Sequence, residues 1–164
     1  GDTDGDGDFD VIYSYGARSF SVLNANGDMV FDSGDKFEQF MAANYGRVFN
    51  ASNTENYSRD NRSDDKGPEP EGLATGYVNG TPYAFIGLER QGGFMVYDLT
   101  NPTNPQFVTY HSDRRFSGNP EADTAGELAP EGMLFVEAKD SPTGNAMLIV
   151  SSKVSGSTKV YDLK

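Results

Sequence analysis

The sequence predicts an all-β fold, a β-propeller segment of about three blades carrying one short helix. Three observations lead there. Runs of alternating apolar and polar residues, rich in β-branched and aromatic types and punctuated by Gly, Pro and Asn, fill most of the chain. Two of these runs recur: Pro70-Glu71-Gly72 returns as Pro130-Glu131-Gly132, 60 residues on, and Val96-Tyr97-Asp98-Leu99 returns as Val160-Tyr161-Asp162-Leu163, 64 on. One segment alone has helical spacing. Repeated antiparallel units of about 40 to 50 residues mark propeller blades, and a ring needs about 4 to 8 of them. The alternative is a β-sandwich with coincidental repeats.

In chain order, residues 1–35 read as an acidic loop and a first blade, with strands at Asp10 to Tyr15, Ser19 to Asn24 and Met29 to Asp32. The helix falls in 36–48. From Lys36 to Gly46 it places Phe37, Phe40, Met41 and Tyr45 on one face, with Asp35 and Glu38 spaced as a capping box and Gly46 as C-cap. Residues 49–72 form a polar loop without periodicity, of a length that is usually functional or disordered. A second blade, 73–111, has strands at Leu73 to Val78, Tyr83 to Glu89, Phe94 to Leu99 and Phe107 to His111. After a loop at 112–131, a third blade, 132–164, has strands at Gly132 to Ala138, Met147 to Lys153 and Thr158 to Leu163. So few blades should leave open faces lined by Phe85, Ile86, Phe94, Val96, Phe135, Leu148 and Val150, and an unpaired edge at Leu163.

The 164 residues carry a net charge of −12, so nucleic acid and anionic membrane are poor partners. No apolar run is long enough to span a bilayer, so no membrane insertion is expected. Cysteine is absent, which removes disulfides, thiolate metal sites and cysteine nucleophiles. The opening and closing residues read as an excerpt of a longer polypeptide. Gly-x-Ser-x-Gly, His-Glu-x-x-His and phosphate-binding Gly-rich motifs are all missing. The lone His111 reads as a strand-end surface histidine before it reads as a general base.

The densest chemistry is Asp2-Thr3-Asp4-Gly5-Asp6-Gly7-Asp8-Phe9-Asp10. Calcium takes 6 to 8 hard oxygens, and carboxylates spaced by two with intervening glycines turn toward one centre. Asp2, Asp4, Asp6, Asp8 and Asp10 are therefore the expected Ca2+ ligands. An EF-hand would carry its bidentate Glu at Tyr13, so a loop between propeller strands fits better. A second constellation runs through Arg59, Arg62, Asp64, Asp65, Glu69 and Glu71, with Glu131 at the matching place of the next unit and Glu89, Arg90, His111, Asp113 and Arg114 beside it. It can serve as a second metal site, or as a channel ligand site for phosphate, saccharide or mineral. An internal salt-bridge network is the alternative. Asn50, Asn56, Asn61 and Asn79 head Asn-x-Ser/Thr sequons.

Several runs then resemble one family. Asp4 to Asp10, Tyr13 to Ser21, Phe31-Asp32-Ser33-Gly34, Arg62 to Gly72, Phe85 to Arg90, Leu128 to Gly132 and Val154 to Thr158 are similar to the C-terminal part of choice-of-anchor I proteins. That resemblance implies a calcium-associated β-propeller within a larger parent, akin to surface proteins of biomineralising animals and of bacteria, and a bacterial extracellular or cell-surface location. The expected function is non-enzymatic, in adhesion, matrix or filament assembly, with the rest of the parent propeller or copies of the chain as partners. The alternative is a calcium-dependent phosphoester hydrolase, alkaline phosphatase-like or phytase-like, whose acidic groups hold cations around phosphate.

Overall fold

The computed structural model describes residues 1–11 and 18–164. The strand expected at Asp10 to Tyr15, and Tyr13 with it, falls mostly outside them. The all-β expectation holds: three small antiparallel sheets and one short helix, with no closed barrel among the described residues. The first sheet pairs β1 (Ser21–Leu23) with β2 (Met29–Asp32). Helix α1 (Lys36–Tyr45) follows. The second sheet is a meander of β3 (Pro70–Val78), β4 (Thr81–Leu88), β5 (Phe94–Asp98) and β6 (Gln106–His111), and the third is β7 (Pro130–Val136), β8 (Ala146–Ser152) and β9 (Ser157–Leu163). No helix among the described residues is long and apolar enough to cross a membrane.

Strand periodicity puts successive side chains on opposite faces, and the second sheet buries both. On one face Ala84, Ile86, Leu88, Met95 and Tyr97 meet Phe37 and Met41 of α1, with the Phe20 ring tilted against Tyr97 at 4.8 Å between centroids. On the other, Ala74, Phe85, Phe94 and Val96 meet Leu148 and Val150 of the third sheet. The residues expected to line open faces are thus covered: Phe85, Ile86, Phe94, Val96, Leu148 and Val150 are buried, and Phe135 is half-buried against Phe85. The sheets shield one another, which a count of isolated blades misses. On the far face of the third sheet Leu134 and Val160 stay open, 59% and 52% exposed.

The two repeats match in backbone detail. Glu69 and Ala129, each preceding a proline, both take left-handed φ of 53° and 60°. Each carbonyl accepts from the residue just past the next strand, Glu89 N–H to Glu69 and Lys153 N–H to Ala129, both at 2.8 Å. β3 and β7 also carry an irregularity of register at the same place, after Pro70 and Pro130.

The helix ends differ from expectation. Asp35 makes no side-chain cap; its carboxylate instead accepts from Gln39 Nε2 at 2.9 Å. Glu38 is drawn away by Arg18 and Asn50, each 2.8 Å from its Oε1. Gly46 is right-handed, so it is no left-handed C-cap.

Candidate metal centre and a buried carboxylate cluster

In the first nine residues the backbone curls around its own carboxylates. Asp2 accepts from the N–H groups of Gly5 at 2.6 Å and Gly7 at 3.1 Å, and Asp4 accepts from Asp6 N–H at 3.2 Å. Gly5 and Gly7 have φ of 81° and 98°, a region open to glycine at little cost. Asp10 closes the turn by accepting from the Thr3 hydroxyl at 2.7 Å and its N–H at 2.9 Å, bonds that lower its pKa. Carboxylate oxygens of Asp2, Asp4 and Asp10 come within 4.8 Å of one another. Asp6 and Asp8 lie outside that trio; Asp6 accepts from Asp8 N–H at 3.1 Å. An all-oxygen, solvent-facing donor set fits a hard dication that keeps water ligands, as calcium does, and does not fit a nitrogen- or sulfur-seeking metal.

The second constellation divides. Glu69, Glu71 and Glu89 bring oxygens within 4.8 Å, with Glu69 and Glu89 buried and Glu71 exposed. Two cations of the chain already face them: Arg90 Nε lies 2.5 Å from Glu69, and Lys66 pairs with the same carboxylate. Asn53, 2% exposed, ties the cluster by donating to Glu89 at 3.1 Å and accepting from Arg90 at 2.9 Å. Glu131 stands apart, 3.4 Å from Lys153, and so do exposed Asp64 and half-buried Asp65, the latter paired with Arg62. The repeat explains the split: Glu69, Glu89 and Arg90 correspond to Ala129, Lys153 and Val154 in the next unit, so only Glu71 has an acidic counterpart.

Burial, and then the neighbouring Glu69, push Glu89 up to about 7. Burial also raises Glu69, but its bonds to Glu89 and Lys66 outweigh that and leave it low. The folded chain therefore keeps a proton on Glu89 that the unfolded chain has released between pH 4.5 and about 7. Its contribution is complete below the unfolded value and is lost as pH rises through about 7. In calcium-free buffer, stability should fall by about 2 kcal/mol between pH 5 and 8, and Glu89→Gln should flatten that slope. Thermal melts across the range check it; a wild-type melting temperature that climbs instead would contradict the shared proton.

Arg114 is not the ligand-facing cation that its neighbourhood in sequence implies. It is 6% exposed and has no carboxylate partner. Its Nε donates to Asn56 Oδ1 at 2.9 Å, Nη1 to the carbonyls of Arg90 at 2.8 Å and Gln91 at 3.2 Å, and Nη2 to those of Ser52 at 2.6 Å and Glu55 at 3.4 Å. Burial lowers its pKa to about 10. His111 sits at the end of β6, 3.3 Å from Asp113, which also accepts from Lys159 at 2.6 Å and Tyr161 at 2.8 Å. Burial alone would raise Asp113, but these donors hold it near 2. Asn50, Asn53 and Asn56, spaced by three, are all buried, and their side-chain amides are committed to internal bonds. Of the four sequons, then, only Asn61 and Asn79 are exposed.

The sequence model described as the choice-of-anchor I domain matches residues 1–102. Gigasin-3a of Magallana gigas is 32% identical over 174 residues, spanning 97% of this chain and 60% of that protein. The mesenchyme-specific cell surface glycoprotein of Strongylocentrotus purpuratus is 22% identical over 171 residues, spanning 93% of this chain and 22% of its own length. The chain thus covers less than two thirds of either relative. Both are animal proteins, so they lend nothing to a bacterial source. No solved structure matches.

Proposed function

Because this chain belongs to the choice-of-anchor I family, we propose that it is a calcium-stabilised propeller segment of an extracellular or cell-surface protein, acting in adhesion or matrix assembly and not in catalysis. The observation that carries the calcium reading is the convergence of Asp2, Asp4 and Asp10 on a glycine-turned loop. A four-stranded meander stacked on a second sheet of matching backbone detail supports the blade reading. The surface location follows the sea-urchin relative, named as a cell surface glycoprotein. The phosphoester-hydrolase alternative needs free carboxylates around a cation, and Arg90 and Lys66 already occupy the Glu69 cluster.

Extracellular calcium sites work at about 0.1 to 1 mM. Calcium at ten times its dissociation constant should stabilise the fold by about 1.4 kcal/mol, raising the melting temperature by roughly 3 to 6 °C over EGTA. Asp2→Asn with Asp10→Asn should abolish the difference. A melt indifferent to calcium and EGTA would count against the site. Calcium-dependent turnover of a phosphomonoester that Glu69→Gln and Glu71→Gln remove would overturn the non-catalytic reading.

A further inference from the structure

Tyr57 is 85% exposed, yet the chain is pinned on both sides of it. On one side Asn56, 2% exposed, donates from Nδ2 to the carbonyls of Arg115 at 2.9 Å and Gly118 at 2.6 Å, and accepts from Arg114 Nε at 2.9 Å. On the other, the Ser58 hydroxyl donates to the Glu55 carbonyl at 2.7 Å and accepts from Ser52 N–H at 2.9 Å. The fold therefore holds this ring out in water. A single exposed ring needs no explanation, but this one stands between two hollows.

Tyr57 and Ser117 line both of them. The first hollow, about 430 Å³, lies between 54–57 and 117–121 and offers the polar groups of Thr54, Glu55, Asn119 and Glu121. The second, about 700 Å³, is walled by Tyr45, Val48 and Phe116, with Asn44 and Arg47 beside them. Both fall in the range of small-ligand sites, about 300 to 1,000 Å³. The far walls are equally set. Asn119 Oδ1 accepts from Glu121 N–H at 2.9 Å, while Asn119 N–H donates to the Thr124 hydroxyl at 2.8 Å. Phe116 lies 6.4 Å from the Tyr45 ring and 4.7 Å from the guanidinium of Arg114, the residue that also holds Asn56.

Ring faces thus alternate with hydroxyls and amides along one preformed cleft. A pyranose matches that pattern: its face of C–H bonds packs on an aromatic ring, and its rim of hydroxyls needs donors and acceptors. Tyrosine supplies such contact area at low conformational cost. Charge argues against acidic polymers, because Glu55 and Glu121 outnumber Arg47 in a chain of net charge −12. The walls are loops and a helix end, with no strand edge for an extended peptide to pair with.

We propose that this cleft binds a neutral oligosaccharide lying across Tyr57, with one sugar stacked on that ring and its neighbours held in the Asn119 and Phe116 hollows. The inference goes beyond the proposed function and stands whether or not residues 2–10 hold calcium.

Calorimetric titrations of the 164-residue chain test it, run in EGTA so that the calcium loop does not enter the result. The probes are cellohexaose, chitohexaose and mannohexaose, with a chondroitin sulfate hexasaccharide and decaproline for comparison. At least one neutral hexasaccharide should bind, and Tyr57→Ala should weaken it by about tenfold or more. Tyr57→Phe, which keeps the ring face, should retain most of the affinity. Ser117→Trp, filling the point where the hollows meet, should abolish it. Tyr77→Ala, at a 64% exposed position on β3 outside the cleft, should leave it intact. No heat with any neutral hexasaccharide, or an affinity that Tyr57→Ala spares, would overturn the proposal. So would tighter binding of the sulfated hexasaccharide, or of decaproline, which would identify an anionic glycan or a proline-rich peptide as the occupant.

Discussion

Replacing Arg114 with methionine should cost about 3–5 kcal/mol and loosen the segment between α1 and β3 before the sheets themselves fail. The guanidinium is the shared donor for groups at Ser52, Glu55, Asn56, Arg90 and Gln91, drawn from two segments that Asn53 also ties through Glu89 and Arg90. Methionine fills much of the volume but leaves those acceptors dry, at about 1–3 kcal/mol for each one that water cannot reach. Lysine is expected to recover little, because one ammonium cannot reproduce a planar fork aimed at several carbonyls. Limited proteolysis should cut near Tyr57, already 85% exposed, far faster in the variant than in the wild type. Arg114→Met with wild-type stability and an uncut loop would show that the bonds are incidental.

Gly76→Val should be comparably harmful, about 3 kcal/mol, and for a contact on the opposite side of the sheet. A Cβ at Gly76 would enter the space of the Phe135 ring, which itself stacks 5.9 Å from Phe85. The glycine is there because the third sheet leans a ring onto bare backbone. In a Phe135→Ala background the same substitution should cost much less, giving a coupling of 1 kcal/mol or more in a double-mutant cycle read by denaturant unfolding. Additive effects would mean that Phe135 moves aside freely.

Most of the fold was legible because it is local. Alternation, turn glycines and the recurring Pro-Glu-Gly and Tyr-Asp-Leu placed the strands to within about three residues of where β1 to β9 lie, the strand expected at Asp10 to Tyr15 apart, since it falls mostly outside the described residues. The polar segment was opaque for the opposite reason: its order comes from Asn50, Asn53 and Asn56 reaching partners 12 to 62 positions away, and such bonds leave no periodic trace. In the same way the Glu69–Glu89 contact spans a hairpin, and the expected companion Glu131 was misplaced by a repeat that holds in backbone and not in side chain. Spacing did show the Asp2 to Asp10 turn, since each of its bonds reaches seven residues or fewer. Asn53 carried one faint signal, its place in a run of asparagines three apart.

Every strand pair in the second and third sheets joins neighbours along the chain. Nothing in either sheet waits for a distant segment, so each can assemble as a run of hairpins on a timescale set by short loop closures. The long-range step is the docking of the two sheets through Phe85, Leu148 and Val150. During synthesis the second sheet can complete while the third is still emerging, holding its Phe85–Val96 face exposed for the interval. The order of the chain therefore makes that face, hidden in the finished fold, the surface most in need of protection from neighbouring nascent chains.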